Sequence, residues 1–339
     1  MTQDNRETPI LEARQLTMHY TTHVGIAGRL QGQTGHVLKA VQDVDLAIST
    51  GETVGIVGES GCGKSTLARA LVGLETLTDG KLFFRGRDVA ERSSAVRQNY
   101  RRSVQMIFQD PAGSLNPMLT AGSAIGEVLD VHRRNGGDRA ARVQELLALV
   151  NLPPESAGRR PHQFSGGQRQ RIGIARALAV EPEVLIADEA VSALDVSVQG
   201  QIINLLMDLQ TRLGLAIVFI SHDLRLVRHI AHRVLVMYLG RVVEAGPAAE
   251  VFAAPRHPYT WALREAVPGL RPARSRRAPA LDGELPSPIA PPSGCPFHPR
   301  CPIARPVCAT DRPQLIARGG AWRAACHFPD EIRSAGNTR

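Results

Sequence analysis

"GESGCGKS", Gly58–Ser65, decides how this chain is read. It fits G-x-x-x-x-G-K-[ST] and lies between the apolar run "ETVGIVG" (52–58) and "KSTLARALVGL" (64–74), whose apolar residues recur at helical spacing. Strand, glycine-rich turn and helix form the setting in which this pattern binds phosphate. The glycines let the backbone curl so that several N–H groups face one phosphate, and the helix N-terminus adds partial positive charge. Lys64 is then expected to reach the terminal phosphates of a nucleotide and Ser65 to offer its hydroxyl to Mg²⁺, with Gly58, Glu59, Ser60, Gly61, Cys62, Gly63 and Thr66 completing the cradle. Cys62 fills an unconstrained position of the pattern and is expected to be a bystander thiol open to oxidation or alkylation.

A phosphate cradle needs acids for its metal and its water. "VLIADE" supplies them: an apolar strand delivers Asp188 and Glu189 to its C-terminal end, the edge at which α/β sheets bind ligands. Asp188 is expected to hold Mg²⁺ through water, and Glu189 to orient and polarise the attacking water. In "QFSGGQRQRIGIARAL", Ser165, Gly166 and Gly167 open a second helix and so provide a second anion-binding N-terminus. One nucleotide needs one such loop, so the second is expected to serve a nucleotide bound elsewhere, by another chain.

The surrounding pattern alternates strand and helix. "ILEARQLTMHY", "VLKAVQDVDLAI", "PEVLIADE" and "AIVFISHD" read as strands, "VLVMYLGRVVEAG" as a hairpin turning at Gly240, and "VQGQIINLLMDLQTRLG" as an amphipathic helix. "ARVQELLALVNL" reads as a helix ended by Pro153 and Pro154, and the Gly/Thr-rich stretch 21–36 as a loop. This alternation predicts an α/β core with a mostly parallel sheet. Beyond about Pro268 the composition turns Pro- and Arg-rich, giving an expected division into a body at 1–268, a linker at 269–293 and a Cys-rich segment at 294–330.

With 339 residues, 43% of them apolar, the chain can bury a large core. The N-terminus "MTQDNRETPI" has no signal-peptide character and no apolar run is long enough to span a bilayer, so a reducing cytosol is the expected compartment. A net charge of +8 allows nucleic acid, anionic lipid or nucleotide as partner. The stretch "RPARSRR" (271–277) could contact nucleic-acid phosphates, but aromatic residues are only 4% of the chain, which argues against a base-stacking surface. A solvated linker is the preferred reading.

Four of the five cysteines, Cys295, Cys301, Cys308 and Cys326, fall near the C-terminus with spacing C-x5-C-x6-C-x17-C. A reducing compartment argues against disulfides. Zinc modules bring cysteines in close pairs, and none is present here. Irregular spacing, with Pro after Cys295 and Cys301, fits iron–sulfur ligation better, with zinc as the alternative and unligated thiols as the third reading. A bound metal would also explain how so core-poor a segment folds.

Taken in order, these motifs resemble the nucleotide-binding subunits of ABC transporters, over most of the chain. "GESGCGKST" matches the Walker A loop; "MIFQDP" places Gln109 as the Q-loop glutamine, a further Mg²⁺ contact; "FSGGQ" matches the signature motif through Ser165, Gly166, Gly167 and Gln168, with Phe164 where Leu is commoner. "VLIADE" matches Walker B with Glu189 as catalytic glutamate, "SALD" is the D-loop ending at Asp195, and "ISHDL" supplies His222 as the switch histidine. Tyr20 is the candidate for the aromatic that stacks on adenine. Ala190 and Val191 stand where many relatives have Pro and Thr, yet no catalytic position is replaced, which implies a competent site.

The resemblance narrows through "IFQDPAGSLNPMLT", "HPYTWAL" (257–263) and "GELPSPIAPPSGCPFHPRCP" to the oligopeptide/dipeptide importer branch, and specifically to its F-type ATPase, which pairs with a D-type ATPase. Implied with it are a P-loop NTPase core, an antiparallel N-terminal β part, an inserted helical subdomain at about 115–180 and a small Cys-rich extension that holds a [4Fe–4S] cluster in some members. The resemblance also implies ATP hydrolysis in a head-to-tail ATPase pair, two transmembrane permease subunits, an extracytoplasmic solute-binding protein, and a place on the cytoplasmic face of the bacterial inner membrane. Di- or oligopeptides are the implied cargo, with nickel, glutathione or another small solute as the alternative within the branch.

Overall fold

Val184–Asp188 is apolar at four of its five positions and buried at all five, which a strand satisfies only when both of its faces are covered. The computed structural model describes residues 8–21, 36–91, 93–110, 113, 115–132, 138–267, 284–318 and 320–332. The interior of the loop at 21–36 and the "RPARSRR" stretch lie outside the described residues. In chain order the first half contains β1 (Leu11–Thr21), β2 (Val37–Ile48), β3 (Thr53–Val57), α1 (Lys64–Leu71), β4 (Asp79–Phe84), β5 (Arg87–Asp88), α2 (Ser94–Ser103), β6 (Val104–Ile107), α3 (Ala121–Val131), α4 (Arg139–Leu149) and α5 (Gly166–Leu178). The second half contains β7 (Val184–Asp188), α6 (Val196–Leu213), β8 (Ala216–Ile220), α7 (Leu224–Ile230), β9 (Arg233–Tyr238), β10 (Arg241–Pro247), α8 (Ala248–Ala253), α9 (Pro258–Ala266), α10 (Pro306–Thr310), β11 (Ile316–Ala317) and β12 (Arg323–Ala324).

Two sheets result. β2-β1-β4-β5 is antiparallel throughout, and the larger sheet runs β11-β12-β10-β9-β3-β8-β7-β6. Its centre, β9-β3-β8-β7-β6, is parallel, whereas β9 and β10 form an antiparallel hairpin turning at Leu239 and Gly240, both with positive φ. Alternation along the parallel strands separates two cores. Val184, Ile186, Val218 and Ile220 face a core shared with α1 and the antiparallel sheet, while Leu185, Ala187, Ile217 and Phe219 face the core shared with α3–α7.

Two details differ from the sequence expectation. α4 ends before Pro153, because Asn151 takes a left-handed conformation at φ 56°. The N–H of Leu152 donates to Leu147 O (2.9 Å) and that of Asn151 to Ala148 O (3.0 Å), which closes the helix as a Schellman motif does. The β4–β5 hairpin and the four-residue β6 are too short to be read from the sequence, and the ten residues of α2 bury only Tyr100 and Ser103, so they show no apolar periodicity. The C-terminal segment joins the larger sheet directly, through β12 alongside β10.

Candidate functional site

The phosphate loop enters α1 through Gly63, whose φ of 105° belongs to the left-handed half of the map. A Cβ there would lie 2.1 Å from Ala40 O, so only glycine fits. Lys64 is 4% exposed, and its ammonium donates to the loop's own carbonyls, Gly58 O at 2.8 Å and Glu59 O at 2.9 Å. Cys62 lies beneath the loop at 1% exposure, and burial pushes its thiol up. That corrects the expectation of an open thiol: Cys62 is neither accessible nor ionised enough to react readily.

The acids arrive from β7. Register aligns Asp188 with Ile220 of β8, and Ile220 with Ile56 of β3, so the end of β7 lies beside the start of the phosphate loop. Ser65 Oγ donates to Asp188 Oδ1 at 3.0 Å. Asp188 is 3% exposed; burial raises its pKa, with the neighbouring Glu189 adding to the effect and the Ser65 hydrogen bond opposing it. Glu189 has a φ of 46°, an uncommon conformation for a residue with a side chain. Three hydrogen bonds hold it: Glu189 N donates to Ile220 O (3.0 Å), while Ser192 N and Oγ both donate to Glu189 O (3.0 Å each). The carboxylate accepts from Gln109 Nε2 at 2.8 Å and lies 3.6 Å from His222 Nδ1.

A cleft of about 260 Å³ is lined by residues that include Tyr20, Ser60, Lys64, Ser65, Thr66, Gln109 and Glu189; Asp188 and His222 stand behind that lining, against Ser65 and Glu189. Of the expected cradle, Ser60, Gly61, Gly63, Lys64, Ser65 and Thr66 line it; Gly58, Glu59 and Cys62 do not. Burial, and then Glu75, raise the Tyr20 hydroxyl's pKa. The structure therefore gathers Walker A, both acids, Gln109, His222 and Tyr20. Ser165, Gly166, Gly167 and Gln168 are not among the cleft's lining residues. They form a capped start to α5: Gln168 N donates to Ser165 Oγ (3.3 Å) and Ser165 N to Gln168 Oε1 (3.0 Å). Gly167 packs closely on α6, where a Cβ would come within 2.4 Å of Val198 Cγ1. Asp195 is exposed at the N-cap of α6 and makes no side-chain cap hydrogen bond.

Two residues at the loop went unnoticed in the sequence. Tyr259 Oη accepts the Glu59 N–H at 2.8 Å, and Arg300 grips the Glu59 carboxylate with both terminal nitrogens, at 2.7 and 3.0 Å. Tyr259 belongs to "HPYTWAL": His257 accepts Tyr259 N on Nδ1 at 3.1 Å, Pro258 opens α9, and the phenol points at the loop. Burial holds His257 neutral, with its pKa lowered to about 3. Tyr238, Tyr259 and Phe297 pack with ring centroids 4.7–5.4 Å apart.

Cys295, Cys301, Cys308 and Cys326 converge on one small cavity whose other walls include Phe297, Ile303 and Phe328. His298 and His327 line it too, but each has a ring nitrogen engaged with a backbone carbonyl, of Cys295 and Asp311 respectively. Burial raises the thiols of Cys301 to about 11 and Cys326 to about 12. Among the described residues, no three His, Cys, Asp or Glu side chains are grouped as the ligands of a metal ion would be. No described helix is long and apolar enough to cross a membrane.

Residues 41–192 match the ABC transporter family, and residues 243–308 match the oligopeptide/dipeptide transporter C-terminal region. The oligopeptide transport ATP-binding protein AppF of Bacillus subtilis is 48% identical over 332 residues, 97% of this chain and 99% of that protein. OppF of Salmonella typhimurium, also an oligopeptide transport ATP-binding protein, is 50% identical over 310 residues, 90% of this chain and 92% of its own length. Among solved structures, the ATP-binding cassette MJ0796, a dimer in a post-hydrolysis state bound to ADP and Pi, superposes with a TM-score of 0.59 at 29% identity, covering 70% of this chain and 98% of that one.

Proposed function

Since the chain belongs to the ATP-binding subunits of ABC transporters and is an ATPase, we propose that it energises import of di- or oligopeptides as one of two ATPases on the cytoplasmic face of a bacterial inner membrane. The observation that carries the reading is the convergence of Lys64, the Ser65–Asp188 pair and the Gln109–Glu189–His222 set on one cleft. The cargo follows from the oligopeptide transport assigned to the two relatives and from the C-terminal match. Two permease subunits and an external solute-binding protein complete the assembly. Uptake of a labelled oligopeptide into vesicles carrying the permeases, with MgATP on the side of this chain, tests the proposal. Uptake of nickel or glutathione alone would reassign the cargo.

Ser65 and Asp188 offer hard oxygens to Mg²⁺, and a carboxylate buried beside Glu189 fits a cation. The ion supplies charge neutralisation for the phosphates. Lys64 releases its hold on Gly58 and Glu59 carbonyls to meet phosphate oxygens. Glu189, fixed by its backbone and by Gln109, accepts a proton from the attacking water, and His222 faces the terminal phosphate. Tyr20 stacks on adenine. Ser165–Gln168 form a second capped helix start able to bind phosphate, and they are assigned to the nucleotide of the partner ATPase, with Asp195 at the contact between the two. Hydrolysis removes the charge that holds the pair closed.

For the cysteine cavity we propose a [4Fe–4S] cluster. Support comes from the four cysteines lining one small cavity that also has aromatic and aliphatic walls. Zinc is the weaker candidate because the spacing C-x5-C-x6-C-x17-C lacks the close cysteine pairs that zinc modules use. Since the thiols are raised by burial, binding must release protons. Brown protein with stoichiometric iron after anaerobic purification is the expected result, and zinc without iron would refute it.

A further inference from the structure

We infer that Arg300, from the turn between Cys295 and Cys301, is a positioning residue for ATP: it neutralises Glu59 and fixes the phosphate loop in the shape that receives the triphosphate. This rests on the proposed place of the nucleotide in the cleft.

Glu59 occupies a position the phosphate-loop pattern leaves free. A carboxylate there is electrostatically awkward, because the loop must accept a polyanion. The fold answers with a guanidinium that meets both carboxylate oxygens in a fork, at 2.7 and 3.0 Å. Arg300's side chain is 5% exposed and Glu59's 26%, so the pair is poorly screened by solvent. The same arginine lies 5.9 Å from the Tyr238 ring centre, and Tyr238 packs on Tyr259, whose hydroxyl takes the Glu59 N–H. Glu59 is thus held at its side chain by Arg300 and at its backbone N–H by Tyr259. Its carbonyl is one of the two that Lys64 engages, at 2.9 Å, the other being that of Gly58.

Arg300 is itself held by local structure. Arg300 N donates to Phe297 O (3.0 Å) and Cys301 N to His298 O (3.3 Å), while Phe297 is 1% exposed against Tyr238 and Tyr259. The cysteine-bearing turn and the nucleotide loop therefore form one packed unit, although 241 residues separate Arg300 from Glu59.

The test is MgATP binding by the full-length chain, with Arg300→Gln, Arg300→Lys, Glu59→Gln and the double variant Glu59→Gln/Arg300→Gln. Arg300→Gln leaves an uncompensated carboxylate in the loop that receives the triphosphate, and the Kd for MgATP is expected to rise on the order of tenfold. Arg300→Lys keeps the charge and is expected to recover most of that loss. Removing the carboxylate as well should also bring the Kd back towards the native value, a non-additive result that a merely structural arginine would not give. Native affinity in Arg300→Gln, or a double variant no better than Arg300→Gln alone, would overturn the inference.

A measurement on the unaltered chain covers variants that fail to fold. If Arg300 strengthens ATP binding, bound ATP must stabilise the Arg300 turn by the same factor. Saturating MgATP is then expected to slow hydrogen exchange at the amides of His298, Arg300 and Cys301 by roughly tenfold, and unchanged exchange there would overturn the proposal. Failure of the native chain to bind MgATP at all would instead remove the reading of the cleft itself.

Discussion

Asp188→Asn separates a metal-holding acid from a structural one. Asp188 is 3% exposed and accepts from Ser65 Oγ at 3.0 Å. Asparagine keeps the shape and can accept the same hydrogen bond through Oδ1, so the end of β7 should hold. Burial raises the native carboxylate's pKa, which means that its charge is unfavourable in the free protein. Removing that charge should leave the melting temperature of the free chain unchanged or higher. With Mg²⁺ the sign reverses. Deleting one member of a buried charge pair costs about 3–5 kcal/mol, or roughly a hundred- to a thousandfold or more in affinity. Titration calorimetry with ATP, once with excess Mg²⁺ and once with EDTA, reads both arms. Affinity should collapse in Mg²⁺ and be unchanged or improved in EDTA. An equal loss in both buffers would refute the assignment, because it would make Asp188 a prop for the loop and not a partner of the metal.

Glu189→Gln should lower kcat by about a thousandfold while MgATP binding stays within about threefold, since the amide can still face Gln109 but cannot take a proton; single-turnover hydrolysis at the native rate would count against it. Lys64→Ala should reduce kcat/KM for ATP by on the order of a hundredfold, measured as phosphate release in the assembled transporter. Glu244 gives a pH dependence. It is fully buried, accepting Arg256 N, His257 N and Trp322 Nε1, and burial raises its pKa from 4.5 to about 7. The folded state therefore binds the proton more tightly than the unfolded chain, so the stabilisation is complete below pH ~4.5 and is lost by pH ~7, by on the order of 3 kcal/mol. Thermal melts across that range should show the decline in the native chain and a flatter profile in Glu244→Gln.

Legibility in the sequence followed from how local each signal is. Phosphate loop, acids and signature helix each occupy a short contiguous stretch whose shape is set by neighbours in sequence, and each has its own composition. The parallel strands were legible for the same reason: an apolar run such as "VLIAD" has one stable use, as a strand covered on both faces. β6 was not, because "VQMI" is four residues long and only its pairing with β7 makes it a strand. The end of α4 shows a different failure. The prolines were the louder signal, but Asn151 turned the chain first, and a left-handed asparagine is visible only in the backbone.

The partners of Glu59 mark where reading by motif ends. The phosphate-loop pattern constrains its glycines, lysine and serine, and is silent about the residue that separates Gly58 from Ser60. Silence in a pattern is not freedom in a structure. A negative side chain in a loop that must surround negative phosphate requires a nearby cation or a path to water, and Lys64 cannot serve because the phosphates need it. That requirement could have been stated from the sequence alone, yet which of the chain's many arginines meets it could not, because Tyr259 and Arg300 lie 200 and 241 residues away. What brings them there is the antiparallel return of β10 beside β9, followed by α9 and the cysteine-bearing turn packing through Phe297 onto Tyr238 and Tyr259. Removing the C-terminal segment should therefore act on the nucleotide as well as on the cysteine cavity, since the same turn carries the thiols and the arginine that steadies the loop.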